Sequence, residues 1–346
     1  MTIFSATRVL MLFALSFVVA LLITPPVFSF LQKFHKSNIR DEESAPVFYR
    51  YHKDKSSTPT MGGIIIWATV LGIAFVFLIL GNFLDGFANY FNFVNRSETF
   101  IPLFALAFAA AIGLFDDLMG IKGIGPHGGG LKMRHKILLY TLAAVLGAWW
   151  FYFRLGWHTV YVPFVGPLDF GWWYIPFFIF VIVATAFSAN ETDGLDGLLG
   201  GVSLFSFVAL DVVAFVLHKY DLAAMIATIV GALLAFLWFN IHPAKFFMGD
   251  TGSMSLGITL GVIALMTDTS LFLPFFAFIF VVESGSVIIQ VLSKKLRKKK
   301  VFLSTPIHHH FQGLGWPESQ ITMRFWIVSA VMTTLGLAIF FLARFA

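Results

Sequence analysis

Long apolar segments separated by shorter polar ones repeat along the whole chain of 346 residues. Most have roughly the 18 to 25 residues that an α-helix needs to cross about 30 Å of hydrocarbon. About ten such segments cover approximately residues 4–30, 61–80, 100–115, 137–153, 172–187, 198–217, 222–239, 253–266, 271–292 and 325–341. The pattern predicts an all-α integral membrane protein with about ten transmembrane helices.

Composition narrows the class further. The chain is 58% hydrophobic and 12% charged, with 43 phenylalanines, which excludes an ordinary soluble domain. The longest polar stretches, 32–60 and 293–322, are too short to fold alone, so residues 1–346 are predicted to form a single polytopic membrane domain. The first apolar segment is too long for a signal-peptide core and is expected to stay in the mature protein. The lack of cysteine excludes disulfides, thiolate metal sites and cysteine nucleophiles.

Basic residues fall on alternate sides of the predicted helices. If ten helices alternate in direction, one set of loops carries most of the Lys and Arg, and the positive-inside rule places that set in the cytoplasm and both termini outside. The predicted cytoplasmic loops are approximately 32–60, 116–136, 188–197, 240–252 and 293–322. The net charge of +5 is explained by lysines near anionic lipid, so we expect a membrane lipid environment and no nucleic-acid partner.

The conspicuous polar motifs all belong to these loops or to the helix ends beside them. Acids within or beside apolar helices are costly and usually mark a functional cavity. The motifs are therefore predicted to form one active site at the cytoplasmic face, and they read KSSTPTMGG (55–63), GLFDDLMG (113–120), SANETDGLDGLLGG (188–201), NIHPAKFFMGDTGS (240–253) and TPIHHHFQ (305–312).

Each acidic motif also has a simple structural interpretation. The pair at 116 and 117 could be a solvated helix end, the glycines around 193 and 196 could cap a helix, and Asp250 could be the N-cap of the helix that follows. Together, several carboxylates and amides on one face favour a hard, oxygen-liganded cation such as Mg²⁺. The set is Asp116, Asp117, Asn190, Asp193, Asp196, Asn240 and Asp250.

Magnesium in proteins is often bound together with substrate phosphates, so the cation site predicts a phosphorylated substrate. Basic side chains in the same loops could then neutralise phosphate oxygens that the metal does not reach. Three adjacent histidines could alternatively bind zinc, but neighbouring imidazoles rarely aim at one point. No P-loop motif is present. The predicted phosphate contacts are Lys55, Lys136, His308, His309 and His310.

These motifs occur in the order found in a known family. HKDKSSTPTMGG, FDD, NETDGLDGL, NIHPAKFFMGDTGSMSLG and PIHHHF followed by GWPESQITMRFWI resemble the phospho-N-acetylmuramoyl-pentapeptide transferases, a bacterial branch of the polyprenyl-phosphate N-acetylhexosamine-1-phosphate transferase superfamily. The resemblance covers nearly the full length. It implies an Mg²⁺-dependent enzyme of the bacterial inner membrane that makes lipid I and UMP for peptidoglycan synthesis. Its donor would be UDP-N-acetylmuramoyl-pentapeptide, its acceptor undecaprenyl phosphate, and its oligomeric state a homodimer.

The resemblance also assigns expected roles to individual residues. It implies that Asp250 binds Mg²⁺, that Asp116 and Asp117 are an essential acidic pair, and that His308 is the catalytic histidine. The residues expected to line the nucleotide and diphosphate site are Lys55, Asn190, Asp193, Asp196 and Asn240, with Phe247 packing on uracil and His309 and His310 closing the site. Ser57, Gly120 and Gln312 depart from the residues that family members often carry at these places.

Two rival interpretations remain open at this point. A transporter would also contain intramembrane acids, and Glu283 is the clearest acid in the middle of an apolar stretch. However, a transporter predicts polar residues through the membrane depth and on both faces. The second rival is a relative of the same class that uses UDP-N-acetylglucosamine. The PIHHHF motif favours the muramoyl branch.

Overall fold

The computed structural model describes residues 2–34, 55, 57–84, 86–96, 98–125 and 130–345. Much of the predicted cytoplasmic loop 32–60 therefore lies outside the described residues. The helices are α1 (Thr2–Leu31), α2 (Ile64–Phe83), α3 (Phe87–Phe91), α4 (Phe100–Ile121), α5 (Met133–Trp149), α6 (Tyr174–Thr192), α7 (Leu198–Val216), α8 (Tyr220–Asn240), α9 (Asp250–Met266), α10 (Leu273–Phe276), α11 (Phe278–Arg297), α12 (Ile307–Gly313) and α13 (Glu318–Phe345).

The all-α membrane fold is confirmed. Within the described ranges, eight helices are long and apolar enough to cross a bilayer: α1, α2, α4, α5 with its terminal π-turn, α6, α7, α8 and α13. The helix pair α10 and α11 could supply a ninth span. The remaining predicted segment forms α9, which has 17 residues and is therefore about 25 Å long.

The predicted segment 271–292 is not one straight helix. The axes of α10 and α11 differ by 89°, and Ala277 between them has φ −123° and ψ 38°, outside the helical region. The hydrophobic pattern continues through this break, because apolar residues follow one another on both sides of it. The predicted apolar segment therefore contains a sharp bend that the hydrophobic pattern does not indicate.

A small β-hairpin stands between α5 and α6. Its strands, β1 (Thr159–Val162) and β2 (Gly166–Asp169), are antiparallel, with Val162 opposite Gly166. Phe164 in the connection has φ 63° and Gly166 has φ 101°, so this short turn uses the left-handed backbone region twice. The sequence analysis did not predict the hairpin, because four-residue strands give too little alternation to detect.

Helix α9 lies at the centre of the bundle, packed against α4 and α6, and its residues from Thr251 to Met266 are all buried. Glycines allow this close approach. A Cβ at Gly113 of α4 would lie 2.3 Å from the Asp250 carbonyl oxygen, and one at Gly63 would lie 2.2 Å from the Gly252 Cα. Small residues at helix contacts let two backbones meet in a membrane protein. The first turn of α9 is therefore held against the end of α4 that carries the two adjacent aspartates.

Candidate active site

Asp117 holds the N-terminus of α9. Its Oδ1 accepts the backbone N–H of Asp250 at 3.0 Å, and its Oδ2 accepts that of Thr251 at 2.9 Å. The first N–H groups of a helix have no partner within the helix, and a carboxylate there is also favoured by the helix dipole. Gly249 at the N-cap position gives no side-chain hydrogen bond. The capping group is thus supplied by α4, and Asp250 is the first residue of the helix, not its cap.

Asp116 points to the other side and shares a lysine with Asp250. The Lys136 Nζ lies 2.9 Å from Asp116 Oδ2 and 2.6 Å from Asp250 Oδ2. Asp116 Oδ1 also accepts the backbone N–H of Leu131 at 2.5 Å. Asn190 completes the surroundings by donating its amide N–H to Asp250 Oδ1. One ammonium group therefore bridges two carboxylates that come from different helices.

Asp193 adds a further carboxyl group beside this pair. The pKa of Asp193 is raised to about 7. Burial is the largest cause and the nearby negative charge of Asp250 adds to it, while the Gly249 N–H and Lys136 act in the opposite direction. The charges of Asp250 and Lys136 both act on Asp193, so the three residues share one electrostatic environment. The residue therefore joins Asp116, Asp117, Lys136 and Asp250 in one group, which we call the acidic cluster.

The acidic cluster has the chemistry of a hard-cation site. Among the described residues that form it, four carboxylates face one ammonium group, which leaves a formal excess of three negative charges when all are ionised. The available ligand atoms are carboxylate oxygens, which suit a small divalent cation. An apolar cavity of about 560 Å³ lies between α4 and α5 beside the cluster, and its lining includes Phe115 and His135.

A second group of charged residues lies around Lys55. Its Nζ is 2.7 Å from Asp196 Oδ1 and 2.7 Å from Glu318 Oε1. The Nδ1 atom of His242 lies 2.8 Å from Asp196 Oδ2. Burial alone would raise the pKa of Asp196, but the charge of Lys55 and these hydrogen bonds outweigh it and hold that pKa below its usual value. We call Lys55, Asp196, His242 and Glu318 the lysine cluster.

The ligand atoms of Asp196, His242 and Glu318 lie within 4.8 Å of one another, a spacing that could hold a metal ion. In this arrangement, however, the Lys55 ammonium group already bonds both carboxylates. The formal excess is one negative charge, compared with three in the acidic cluster. Charge therefore favours the acidic cluster for a divalent cation.

Phe246 and Phe247 have different surroundings. The Phe246 ring is fully buried and packs against Phe28, Phe236 and Phe239. The Phe247 ring is only partly buried, and its centre lies 5.8 Å from the Lys55 Nζ. Phe247 is therefore the ring of the two that could stack on a planar ligand next to the lysine cluster.

The Asn240 side chain links two of the loops that form the clusters. Its Oδ1 accepts the backbone N–H of Gly197 at 3.0 Å, and its Nδ2 donates to the Phe246 carbonyl oxygen at 2.8 Å. The side chain is buried. The Asn240 amide thus joins the turn after Asp196 to the segment before Phe247. Asn240, which was predicted to line the ligand site, therefore supports the loops that form the site.

The three consecutive histidines have three different partners. His308 Nδ1 lies 3.0 Å from Glu283 Oε1, His309 Nδ1 lies 2.7 Å from Gln312 Oε1, and His310 Nδ1 accepts the Leu303 N–H at 3.2 Å. The imidazoles do not converge on one point, so a zinc site made of all three is not formed. His308 is fully buried and His309 nearly so.

The structure thus brings most of the predicted site residues into two adjacent clusters, joined through the turn between Asp193 and Asp196. His310 stands apart from them and contacts Phe302 and the Leu303 backbone. Sequence reasoning missed His242 and Glu318 as members of the lysine cluster. Both lie inside motifs already noted, NIHPAK and GWPESQ, but nothing in those motifs indicates that their partner is Lys55.

Comparisons with known proteins agree on one family. A sequence model described as glycosyl transferase family 4 matches residues 99–268. The chain is 36% identical to a phospho-N-acetylmuramoyl-pentapeptide-transferase of Nautilia profundicola, over 95% of this chain and 93% of the relative. It is 38% identical to the enzyme of the same name from Desulforamulus reducens, over 93% of each chain. It is 35% identical to the one from Clostridium perfringens, over 96% of this chain and 98% of the relative.

Proposed function

Because the chain belongs to the phospho-N-acetylmuramoyl-pentapeptide transferase family, we propose that it transfers phospho-N-acetylmuramoyl-pentapeptide from its UDP-linked donor to undecaprenyl phosphate. An oxygen of the acceptor phosphate forms a bond to the sugar-linked phosphorus of the donor. The bond from that phosphorus to the bridging oxygen breaks, and UMP leaves. The product is lipid I, a membrane-bound precursor of peptidoglycan.

The acidic cluster is the proposed place of the reacting diphosphate. Asp250 would hold Mg²⁺ with help from Asp116, and the bound ion would neutralise charge on the phosphate oxygens. Lys136 supplies a second positive charge at the same place. Asp117 keeps the first turn of α9 in position and so fixes Asp250. This division of roles is supported by the excess of negative charge in the cluster.

The acceptor needs little help from a general base. A phosphomonoester has a second pKa near 6 and is largely dianionic at neutral pH. The side chains of the acidic cluster therefore act mainly by positioning the two phosphates and by balancing their charge. Asn190 contributes by fixing one oxygen of Asp250.

The lysine cluster is the proposed nucleoside site. Phe247 offers a ring face for the uracil base, and Lys55 and Asp196 offer a donor and an acceptor beside it. A closed cluster with little excess charge suits a neutral base better than a phosphate. The resemblance implies that His309 and His310 close the site, but His310 contacts Phe302 and the Leu303 backbone, so only His309 keeps this proposed role.

We place the chain in the bacterial inner membrane as a single multi-pass domain, with both clusters facing the cytoplasm and both termini outside. This orientation rests on the distribution of basic residues. In the cysteine-free chain, Lys300→Cys and Val165→Cys should react oppositely with an impermeant thiol reagent on intact cells. Labelling only at position 165, in the hairpin, is expected, and equal labelling would reject the orientation.

We also propose a homodimer, which light scattering of the detergent-solubilised protein would test.

The observation that carries the proposed function is the match to named relatives over nearly the full chain, joined to an acidic cluster suited to a metal-held diphosphate. The purified protein in detergent should release UMP and form lipid-linked muramoyl-pentapeptide only when Mg²⁺ and both substrates are present. Transfer from UDP-N-acetylglucosamine, with none from the muramoyl donor, would point to the sister branch. A transporter is not favoured, since the relatives are named as transferases.

A further inference from the structure

Glu283 lies in the second turn of α11, in the sequence FIFVVESGSV, and its side chain is fully buried. An acid in such a place is costly unless it is paired. It lies against the backbone N–H groups of Ile307 and His308, at the start of α12. Its Oε1 is also 3.0 Å from His308 Nδ1. One carboxylate from the bundle thus lies beside both the backbone N–H groups and the ring of the first histidine.

The opposite edge of the His308 ring meets the turn that joins the two clusters. A Cβ at Gly194 would lie 2.1 Å from His308 Nε2, so the ring rests directly on this glycine. Gly194 follows Asp193 of the acidic cluster and precedes Asp196 of the lysine cluster. A shift of the His308 ring would therefore move the turn that carries one residue of each cluster.

Neutral imidazole carries one N–H, and the group bonded at one nitrogen decides which nitrogen carries it. A carboxylate at Nδ1 holds the proton there and leaves Nε2 as the nitrogen that faces the turn. Given the proposed transfer function, we propose that Glu283 is a positioning residue that fixes the ring orientation and tautomer of His308 and, through Gly194, seats the turn from Asp193 to Asp196. Glu283 itself touches no reacting atom.

This role differs from ordinary helix packing, for which α11 offers a matched control. Ser286 is buried in the same helix, and its Oγ donates to the Glu283 carbonyl oxygen one turn earlier, at 2.7 Å. Ser286→Ala removes a buried polar contact without touching α12. Glu283→Gln keeps the size of the side chain and an acceptor oxygen for the Nδ1 proton but loses the charge. Glu283→Ala removes both.

Steady-state kinetics with the muramoyl donor test the effect on transfer. Removing partners that orient a functional histidine typically costs roughly 10–100-fold. Glu283→Ala should lower kcat by about 100-fold and Glu283→Gln by about tenfold, and UMP binding measured by calorimetry should weaken by a smaller factor than kcat. Ser286→Ala should stay near wild type. Wild-type kcat in both Glu283 variants, or an equal loss in Ser286→Ala, would overturn the proposal.

Nitrogen NMR of protein labelled at histidine provides a readout that does not depend on activity. The signals that vanish in His308→Gln belong to His308. In the wild type they should show the proton on Nδ1, and in Glu283→Gln they should shift toward a mixture of tautomers. A wild-type proton on Nε2, or identical spectra for both proteins, would reject the assignment even if Glu283→Ala failed to fold. A protein inactive with the muramoyl donor but with the expected spectrum would instead contradict the proposed function alone.

Discussion

The acidic cluster and the lysine cluster contain similar groups but differ in charge balance. In the first, Lys136 stands among four carboxylates, and in the second, Lys55 bonds two. The first cluster retains a negative excess that a divalent cation and then a diphosphate could use. The second is nearly balanced within itself. A lysine between two carboxylates is therefore not enough to identify a site, and the number of unpaired charges decides what the site can bind.

The clusters also differ in how they are anchored. The acidic cluster is built on the ends of α4, α5 and α9 and on the turn after α6, and Gly113 brings α4 into close contact with α9. The lysine cluster is built from loop residues and from Glu318 at the start of α13. Glu318 additionally accepts the backbone N–H of Asp196 at 2.6 Å. Sites on rigid elements hold reacting groups more accurately than loops do, which suits a reaction centre in the first cluster and a recognition site in the second.

Of the variants that distinguish the two clusters, Asp250→Asn should have the largest effect on activity. Asp250→Asn removes the charge from the proposed metal ligand but keeps the backbone N–H that Asp117 accepts, so the fold should persist. Loss of metal-held charge neutralisation should reduce kcat by about 10³-fold or more. The measurement is UMP release at saturating Mg²⁺, and UMP binding serves as the control. Near-normal turnover would show that the acidic cluster does not hold the metal.

Replacing Lys55 should affect recognition more than chemistry. Lys55→Met leaves Asp196 and Glu318 without their shared cation, and we expect a 10- to 100-fold rise in the KM for the donor with a much smaller change in kcat. Removing a partner from a charged hydrogen bond costs about 1.5–3 kcal/mol, which corresponds to this range. A lower kcat with an unchanged KM would show that Lys55 acts at the reaction centre and not at the nucleoside site.

The spans and the chemistry were predictable from sequence because both depend on local pattern. Apolar length indicates a membrane helix, and acids beside such helices indicate a functional cavity. The partners of each acid were not predictable. Asp116 and Asp117 are adjacent in sequence, yet about 100° of helix rotation separates their side chains. One therefore meets Lys136 and the other caps α9, and only the packing of α4 against α9 decides which is which.

The bend between α10 and α11 and the pairing of Glu283 with His308 were missed for a related reason. Both depend on which helix ends meet in space, and a hydrophobic pattern contains no such information. The three histidines suggested one shared role. Their separate partners follow from the start of α12, where residues 308, 309 and 310 point in successive directions around a helix.

The two adjacent phenylalanines allow a matched test of the nucleoside site. Phe247→Leu should weaken UMP binding by about fivefold to tenfold, because base–aromatic stacking contributes about 1–3 kcal/mol and leucine keeps part of the apolar contact, which puts the loss at the lower end of that range. Phe246→Leu should leave the affinity nearly unchanged and instead lower the thermal midpoint in detergent, since that ring is fully buried among three others. Calorimetry and thermal unfolding of both variants check this. Weaker UMP binding in Phe246→Leu, with a lower thermal midpoint in Phe247→Leu, would mean that Phe246 contacts the base and Phe247 supports the fold.

The smallest expected effect concerns the charge state of the acidic cluster. The pKa of Asp193 is raised to about 7 in the folded protein, chiefly by burial, whereas an unfolded aspartate titrates near 4. Between these values the folded state binds more protons than the unfolded one, so this residue contributes stability at low pH that is lost as the pH rises toward 7.

Asp193→Asn removes that titration and should flatten the pH dependence of unfolding. Without added Mg²⁺, the thermal midpoint of the wild type should fall between pH 5 and pH 8 by a few degrees more than that of the variant, since about 1 kcal/mol corresponds to roughly 2–4 °C for chains of 150–250 residues. Added Mg²⁺ should reduce the difference, because a bound cation offsets the negative excess in the cluster. Parallel curves for the two proteins would mean that the pKa of Asp193 is not raised in the folded protein.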